Sequence, residues 1–376
     1  MKRRLLFYCQ HVLGMGHLAR SREIVKGLSN FDVWFVNGGE PVHGFDFPSN
    51  VQVVQLPPVS SDSEFQEVRG AHDGVFEERK HMLIELLHRV KPHGLIVEMF
   101  PFGRRKFAQE LIPLLEARDR TQTRTICSVR DILVAKKDQT RHEGQVIDWL
   151  NRYFDLVLVH SDWRMQSLEE TFTRMSDVTC PLEYTGFVAE VPVHAFAPRV
   201  RGGRPKVVAS AGGGKVGFEL LNASVQAANL LNGRIAMDVY TGPFLAEDLF
   251  EQLKAQSSPW VKVERFAPDF LDRLAAADLL VSMAGYNTCM NILATGIRAL
   301  VHPFTGNGND EQLRRARNFE RMGILGVIED GELNAHLLAD RIESALQAPT
   351  PGSPVDVDLS GVASTAGKLE RWLPYV

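Results

Sequence analysis

What most restricts the folding of this chain is a local pattern that occurs twice: a short apolar run, a glycine-rich turn, then a helix-like stretch. The first instance is Leu5-Leu6-Phe7-Tyr8 leading to Gly14-Met15-Gly16-His17. The second, half a chain later, is Lys206-Val207-Val208-Ala209 leading to Ala211-Gly212-Gly213-Gly214-Lys215. A strand that passes through glycines into a helix leaves backbone N–H groups free at the helix N-terminus, where the helix dipole favours anions. Two instances predict two doubly wound α/β halves, each taking ligands at the carboxyl ends of its strands.

A length of 376 residues exceeds what one hydrophobic core commonly serves, which also favours two domains. Apolar content of 44% and charged content of 23% are those of an ordinary globular protein. A formal charge of -4 offers no basic stripe, so nucleic acid is not an expected partner. The pairs Arg104-Arg105 and Arg314-Arg315 read as solvated helix faces or single anion contacts. Cys9, Cys127, Cys180 and Cys289 lack Cys-x-x-Cys spacing, so no zinc site or disulfide framework is expected. The apolar run after Lys2, Arg3 and Arg4 is too short for a secretory leader or a membrane span, and the expected location is the cytoplasm.

Strands are expected at 4–9, 32–36, 51–55, 94–98, 125–129 and 155–160, with helices between, such as His17 to Leu28 and Phe76 to Val90. Met82, Leu83, Leu86, Leu87 and Val90 recur at helical spacing. Residues 57–75 read as a long surface loop. Pro192, Pro198, Gly202, Gly203 and Pro205 mark a linker, after which strands restart near 206–210, 235–240, 260–264, 278–282, 298–302 and 325–328. The expected organisation is a first domain over 1–190, a linker over 191–205, a second domain over 206–350, and an arm with a closing helix over 351–376 that packs back on the first domain.

Four segments carry candidate chemistry. In the first, Gly14 and Gly16 let a ligand approach the backbone, and His17 stands at a helix start that disfavours imidazolium, the setting of a neutral general base. A plain strand-to-helix turn with a surface histidine is the alternative. Gly212, Gly213 and Gly214 suit a diphosphate cradle. They are not a Walker A motif, because Val216 stands where Ser or Thr should follow Lys215. Ser282-Met283-Ala284-Gly285-Tyr286-Asn287-Thr288 ends the third segment's strand at a helix start fit for phosphate, with Asn291 one turn on, in reach of a ribose hydroxyl. The fourth runs from His302 to Gln312, where Asp310, Glu311 and Gln312 suit sugar hydroxyls. Glu98 and Arg130-Asp131 end apolar strands, where they would orient an acceptor. Glu98 is also a second candidate base, and for both places a salt bridge or helix cap is the competing reading.

In this order, the pieces resemble the GT-B glycosyltransferases, and within them family 28, whose best-known member adds N-acetylglucosamine to the peptidoglycan lipid precursor. The resemblance is strongest over about 206–330 and includes the opening loop. It implies two Rossmann-like doubly wound parallel-sheet domains facing a central cleft. Gly14, Gly16 and His17 match the loop near acceptor and donor phosphates, and Gly212 to Gly214 the turn that opens the second domain. Ser282, Ala284, Gly285 and Asn287, with Thr288 beside them, match the diphosphate-binding helix start. Glu311-Gln312, with Asp310, matches the element that reads the sugar, and Arg265 and Phe266 fall where the family holds the base. Asn291 stands where the family usually has an acidic residue on the ribose. The run Glu98-Met99-Phe100-Pro101-Phe102-Gly103-Arg104-Arg105, with Glu311-Gln312-Leu313, also resembles a bacterial group of predicted glycosyltransferases.

The resulting expectation is sugar transfer from a nucleoside-diphosphate sugar, a uridine one, to the hydroxyl of a small-molecule, lipid-linked or glycan acceptor. No metal or other cofactor is expected to be required. His17 or Glu98 would serve as base, and Arg130 and Asp131 would sit at the acceptor. A nucleotide-sugar hydrolase or epimerase on the same fold, or a non-catalytic binding protein, are the alternatives. Phe100, Pro101 and Phe102 beside Arg104, Arg105 and Lys106 leave peripheral membrane contact open against a packed loop.

Overall fold

The computed structural model describes residues 2–11, 16–41, 46–61, 68–70, 72–134, 136, 138–190, 196, 202–306, 309–348 and 356–374. The chain divides into two compact units, Met1–Ala189 with Asp358–Val376, and Glu190–Val357.

Unit one contains β1 (Arg3–Cys9), β2 (Phe31–Asn37), β3 (Val51–Gln55), β4 (Val59–Ser61), β5 (Val68–Gly70), β6 (Gly94–Glu98), β7 (Arg124–Arg130), β8 (Leu156–His160) and β9 (Leu182–Tyr184). Its main sheet is parallel, in the order β3-β2-β1-β6-β7-β8-β9. Helices α1 (Gly16–Lys26), α2 (Val75–Val90), α3 (Ala108–Ala117) and α4 (Gln139–Tyr153) cover it. Every residue of β6 and β8 is buried, as expected where helices cover both faces of Leu-Ile-Val and Leu-Val-Leu-Val runs. The expected loop at 57–75 instead includes an antiparallel hairpin, β4 against β5. Strands of three residues are too short to show a period-two pattern.

Unit two repeats the plan with β10 (Lys206–Ser210), β11 (Ala236–Tyr240), β12 (Val261–Glu264), β13 (Leu279–Met283), β14 (Ala299–His302) and β15 (Gly326–Val327). Its helices are α5 (Phe218–Leu230), α6 (Glu247–Lys254), α7 (Phe270–Ala276), α8 (Tyr286–Thr295), α9 (Glu311–Arg321) and α10 (Ala335–Gln347). The sheet order is β12-β11-β10-β13-β14-β15, again all parallel. In both units the winding reverses between the first strand and the fourth of the sheet, β1 and β6 or β10 and β13. Carboxyl ends at such a reversal are where doubly wound sheets take ligands.

The last helix, α11 (Gly361–Trp372), belongs to unit one and packs on α1. Gly27 has no side chain because a Cβ there would come within 2.4 Å of Val362 Cγ1. Arg3 Nη1 donates to the Glu370 carbonyl at 2.8 Å, and Asn30 Nδ2 to the Glu370 carboxylate at 2.8 Å.

A polar pin runs through the core of unit one. Arg79 on α2 donates to both carboxylate oxygens of Glu110 on α3, at 2.7 and 2.8 Å, and neither side chain is exposed. Its other donors reach Gly38 O, Pro57 O and Gln10 Oε1. Tyr8 on β1 donates to Glu110 at 2.5 Å. One guanidinium therefore ties down the segments that leave β1, β2 and β3.

Candidate active site

Strand β1 pairs with β6, so the start of α1 comes beside the last residue of β6. His17 Nδ1 lies 2.7 Å from Glu98 Oε1. An ionised carboxylate only accepts, so Nδ1 carries the proton and Nε2 presents its lone pair. Arg20, one turn along α1, donates Nη2 to the same Oε1. Glu98 is wholly buried, whereas His17 keeps 20% of its side chain exposed. Burial pushes the His17 pKa down to about 3, since the pull of Glu98 toward imidazolium is opposed by Arg104 and Arg130 as well. Burial alone would raise the Glu98 carboxyl, but His17, Arg20 and Arg104 together hold it down at about 2. At neutral pH this is a neutral imidazole of fixed tautomer on an ionised carboxylate.

The chain turns sharply after Glu98. Met99 (φ 64) and Arg104 (φ 57) adopt the left-handed region, which costs a side-chain-bearing residue about 1–2 kcal/mol. Between them, Phe100 stacks on Trp149 at 5.2 Å and Phe102 meets Phe172 edge-on at 5.2 Å, all but Trp149 being fully buried. This burial fits the packed-loop reading of Phe100 to Phe102, which are core residues. No helix among the described residues is long and apolar enough to cross a membrane.

Of the two expected acceptor contacts, Arg130 ends β7 opposite His160 and is partly exposed, while Asp131 is 1% exposed and so has no surface to offer an acceptor. Gly14 lies outside the described residues, and Gly16 is the first residue of α1. Behind the site, the buried His160 bridges two hydroxyls, Ser128 Oγ at 2.8 Å and Thr185 Oγ1 at 2.9 Å. Burial pushes His160 down to about 3 and His142 down to about 4. With His17, three histidines thus stay neutral in the folded chain while their unfolded counterparts protonate near 6.5. The unfolded state then binds more protons, so stability should fall as pH drops from about 6.5 toward 4. Urea unfolding at stepped pH is expected to show this slope, reduced by one proton's worth in His160→Gln.

Unit two assembles the glycine loop after β10, the loop after β13 and the loop after β14 on adjacent strand ends. Its glycines divide by role. At Gly214 (φ 87) a Cβ would sit 2.3 Å from Thr241 O, so this glycine is required by packing against the β11 end. Gly213 and Gly285 differ. A Cβ on Gly213 would meet only Phe244 Cδ2 at 3.6 Å, and one on Gly285 only Thr288 Oγ1 at 4.0 Å. Gly285 is extended (φ -63, ψ 155) at the N-cap of α8. Neither position requires glycine to avoid a Cβ clash or to reach a positive φ.

The remaining expected sugar-donor contacts divide into supports and surface groups. Ser282 and Ala284 are fully buried, and the Ser282 hydroxyl donates to Ser210 O at 2.6 Å. The Ser282 hydroxyl thus braces β13 against β10, and neither side chain is open to solvent. Glu311 is 4% exposed and pairs with Arg315 at 2.7 Å, with the guanidinium over the Tyr286 ring, so it locks α9 to α8. Asp310 accepts from Arg314 Nε at 2.5 Å. Gln312 Oε1 accepts from Phe304 N at 3.1 Å, which fixes its amide beside the loop. Asn287, Thr288 and Asn291 are half-buried. Arg265 is held by Leu245 O and Glu247 against the Phe250 ring, whereas Phe266 beside it is 63% exposed.

A cavity of about 550 Å³ opens beside these loops, lined by Lys215, Leu245, Leu249, Met283, His302 and Phe304 among others. The sequence signalled His302 only as a loop start, and it marked Arg20 as part of the opening motif Gly-x-Gly-His-x-x-Arg without giving it a partner. Its offset of three from His17, one helical turn, was the available sign.

Residues 210–353 match the family model described as the glycosyltransferase family 28 C-terminal domain. Over 128 residues the chain is 31% identical to the UDP-N-acetylglucosamine--N-acetylmuramyl-(pentapeptide) pyrophosphoryl-undecaprenol N-acetylglucosamine transferase of Salinibacter ruber, covering 33% of this chain and 34% of that enzyme. The chain thus spans about a third of that curated relative's length. Two solved structures are similar over nearly the whole chain. One is CalG4, the calicheamicin glycosyltransferase (TM-score 0.64, 16% identity, 99% of this chain and 100% of that one). The other is MurG of Acinetobacter baumannii (TM-score 0.57, 13% identity, 97% and 95%). The chain has the GT-B fold, and its second unit is a relative of the glycosyltransferase family 28 C-terminal domain.

Proposed function

We propose that this protein is a glycosyltransferase that moves a sugar from a nucleoside-diphosphate sugar, a uridine one, to an acceptor hydroxyl. The observation that carries this reading is the pair Gly213 and Gly285. Each stands at the carboxyl end of one of the two central strands of unit two, open where a side chain would fit. A diphosphate approaching the N–H groups there accounts for glycine where the fold does not. Asn287, Thr288 and Asn291 would complete the phosphate and ribose contacts, Gln312 would offer its amide to the sugar, and Phe266 would stack on the base. The relative from Salinibacter ruber uses a UDP-sugar by name, which supports uridine.

His17 Nε2 would take the proton of the acceptor hydroxyl as it attacks the anomeric carbon and the diphosphate departs. Glu98, already ionised and holding Nδ1, would stabilise the imidazolium that forms, so the base is His17 and Glu98 orients it. Helix N-termini would bear the leaving charge, and turnover is expected to be unchanged by EDTA. With the imidazole neutral well below its ordinary range, the acid limb of kcat/KM should lie below pH 5 and not near 6.5. The acceptor belongs to the lipid-linked or glycan class in this reading. A neutral His17 would also activate water, and stoichiometric sugar release without acceptor would mark a hydrolase.

Thermal unfolding against a panel of nucleotides and nucleotide sugars tests the sugar-donor assignment. A ligand at 100 times its Kd adds about 2.7 kcal/mol. UDP and UDP-sugars should raise Tm, and adenosine diphosphate should not.

A further inference from the structure

Glu98 is a single negative charge with no exposure, and two groups meet on one of its oxygens. Arg20 Nη2 and His17 Nδ1 both donate to Oε1. Its Oε2 is buried without a hydrogen-bond partner among the described residues. A buried carboxylate needs one compensating charge and is strongly destabilising without it. Arg20, 2% exposed on α1, already supplies that charge.

The other groups facing this pair leave Arg20 in that role. His17 faces Glu98 on β6, Arg104 in the turn after β6, and Arg130 at the end of β7. Glu98 faces Cys9 on β1, Cys127 on β7 and His160 on β8 as well as Arg20 and Arg104, and burial raises the Cys127 thiol. Burial keeps Cys9 and His160 uncharged. Arg104 also pulls the carboxyl down, and Arg20 donates directly to its Oε1 inside the core.

We propose that Arg20 is a positioning residue that keeps His17 an unprotonated base, by supplying a counter-charge hydrogen-bonded to Glu98. Without it, Glu98 would draw a proton onto the imidazole it already contacts, and the Nε2 lone pair would be lost at the pH where turnover is needed. The proton would come from solvent and no covalent bond would change. This inference rests on the reading of His17 as base, but its test reads protonation and not turnover, so the two fail separately.

The test is a pH titration of the imidazole nitrogens by NMR in the full chain labelled with ¹⁵N-histidine, with His17 assigned by its loss in His17→Gln. In the parent, His17 should show the neutral Nδ1–H form throughout about pH 5–8. In Arg20→Gln its midpoint should rise by about 1–3 units, the effect of one close charge. Arg20→Lys, which keeps the charge but loses the guanidinium's reach, should show a smaller rise and serves as the test if Arg20→Gln does not fold. A parent His17 that titrates near 6.5 overturns the proposal. So does a midpoint unchanged from the parent in every variant that folds. A loss of stability with no change in titration would mark Arg20 as merely structural.

Discussion

Replacing His17 with alanine is expected to lower kcat by about 10²–10⁴-fold, the range for loss of a general base. UDP affinity should be little changed, because Gly213, Gly285 and the side chains proposed above for the nucleotide lie in unit two. The size of the effect follows from the geometry on β6. Glu98 fixes Nδ1 as donor at 2.7 Å, so the lone pair sits on Nε2 without a tautomer having to be selected at each turnover. Glu98→Gln keeps an oxygen that accepts from Nδ1 but leaves Arg20 without its anion, so it should lose less activity and more stability. Initial rates with saturating UDP-sugar, paired with calorimetric UDP binding, separate the two residues. Full kcat in His17→Ala would remove His17 from the chemistry.

The largest expected stability loss lies in the polar pin of unit one. Glu110→Ala leaves Arg79 buried, charged and without its bidentate partner, which should cost about 3–5 kcal/mol. Urea unfolding measures it as a lower midpoint. The double change Arg79→Met with Glu110→Leu should cost less than Glu110→Ala alone, because the penalty comes from the stranded charge and not from the lost pair. A double variant that costs as much as Glu110→Ala alone would place the stabilisation in the pair itself. Tyr8→Phe, which removes one hydrogen bond to Glu110, should cost about 1 kcal/mol.

The central parallel strands were legible because they are apolar runs covered on both faces, and the twelve expected ones, from 4–9 to 325–328, all have counterparts, including the partly exposed edge strands β3 and β12. The three-residue β9 and the β4–β5 hairpin were not, since so few residues carry no periodicity. Sequence placed His17 at a helix start and Glu98 at a strand end, yet not in contact. Their 81-residue separation is closed only by the pairing of β1 with β6. Side-chain direction was the other hidden quantity. Ser282 and Gly285 are three residues apart, but one is folded under the loop and the other opens outward. Likewise Glu311 read as a sugar contact because its partner Arg315, one turn along the same helix, could equally have been solvated.

The account depends most on main-chain capture of a diphosphate by unit two, and calorimetric titration of UDP into the parent, Gly213→Val and Gly285→Val tests it most directly. A Cβ at either position meets no backbone atom within 4 Å, so both variants should fold, with Gly285→Val losing some stability as an apolar N-cap of α8. The account predicts that the parent binds UDP and that each valine weakens binding at least about tenfold, or 1.4 kcal/mol. Folded valine variants that bind UDP as tightly as the parent, or a parent that does not bind it, would contradict it.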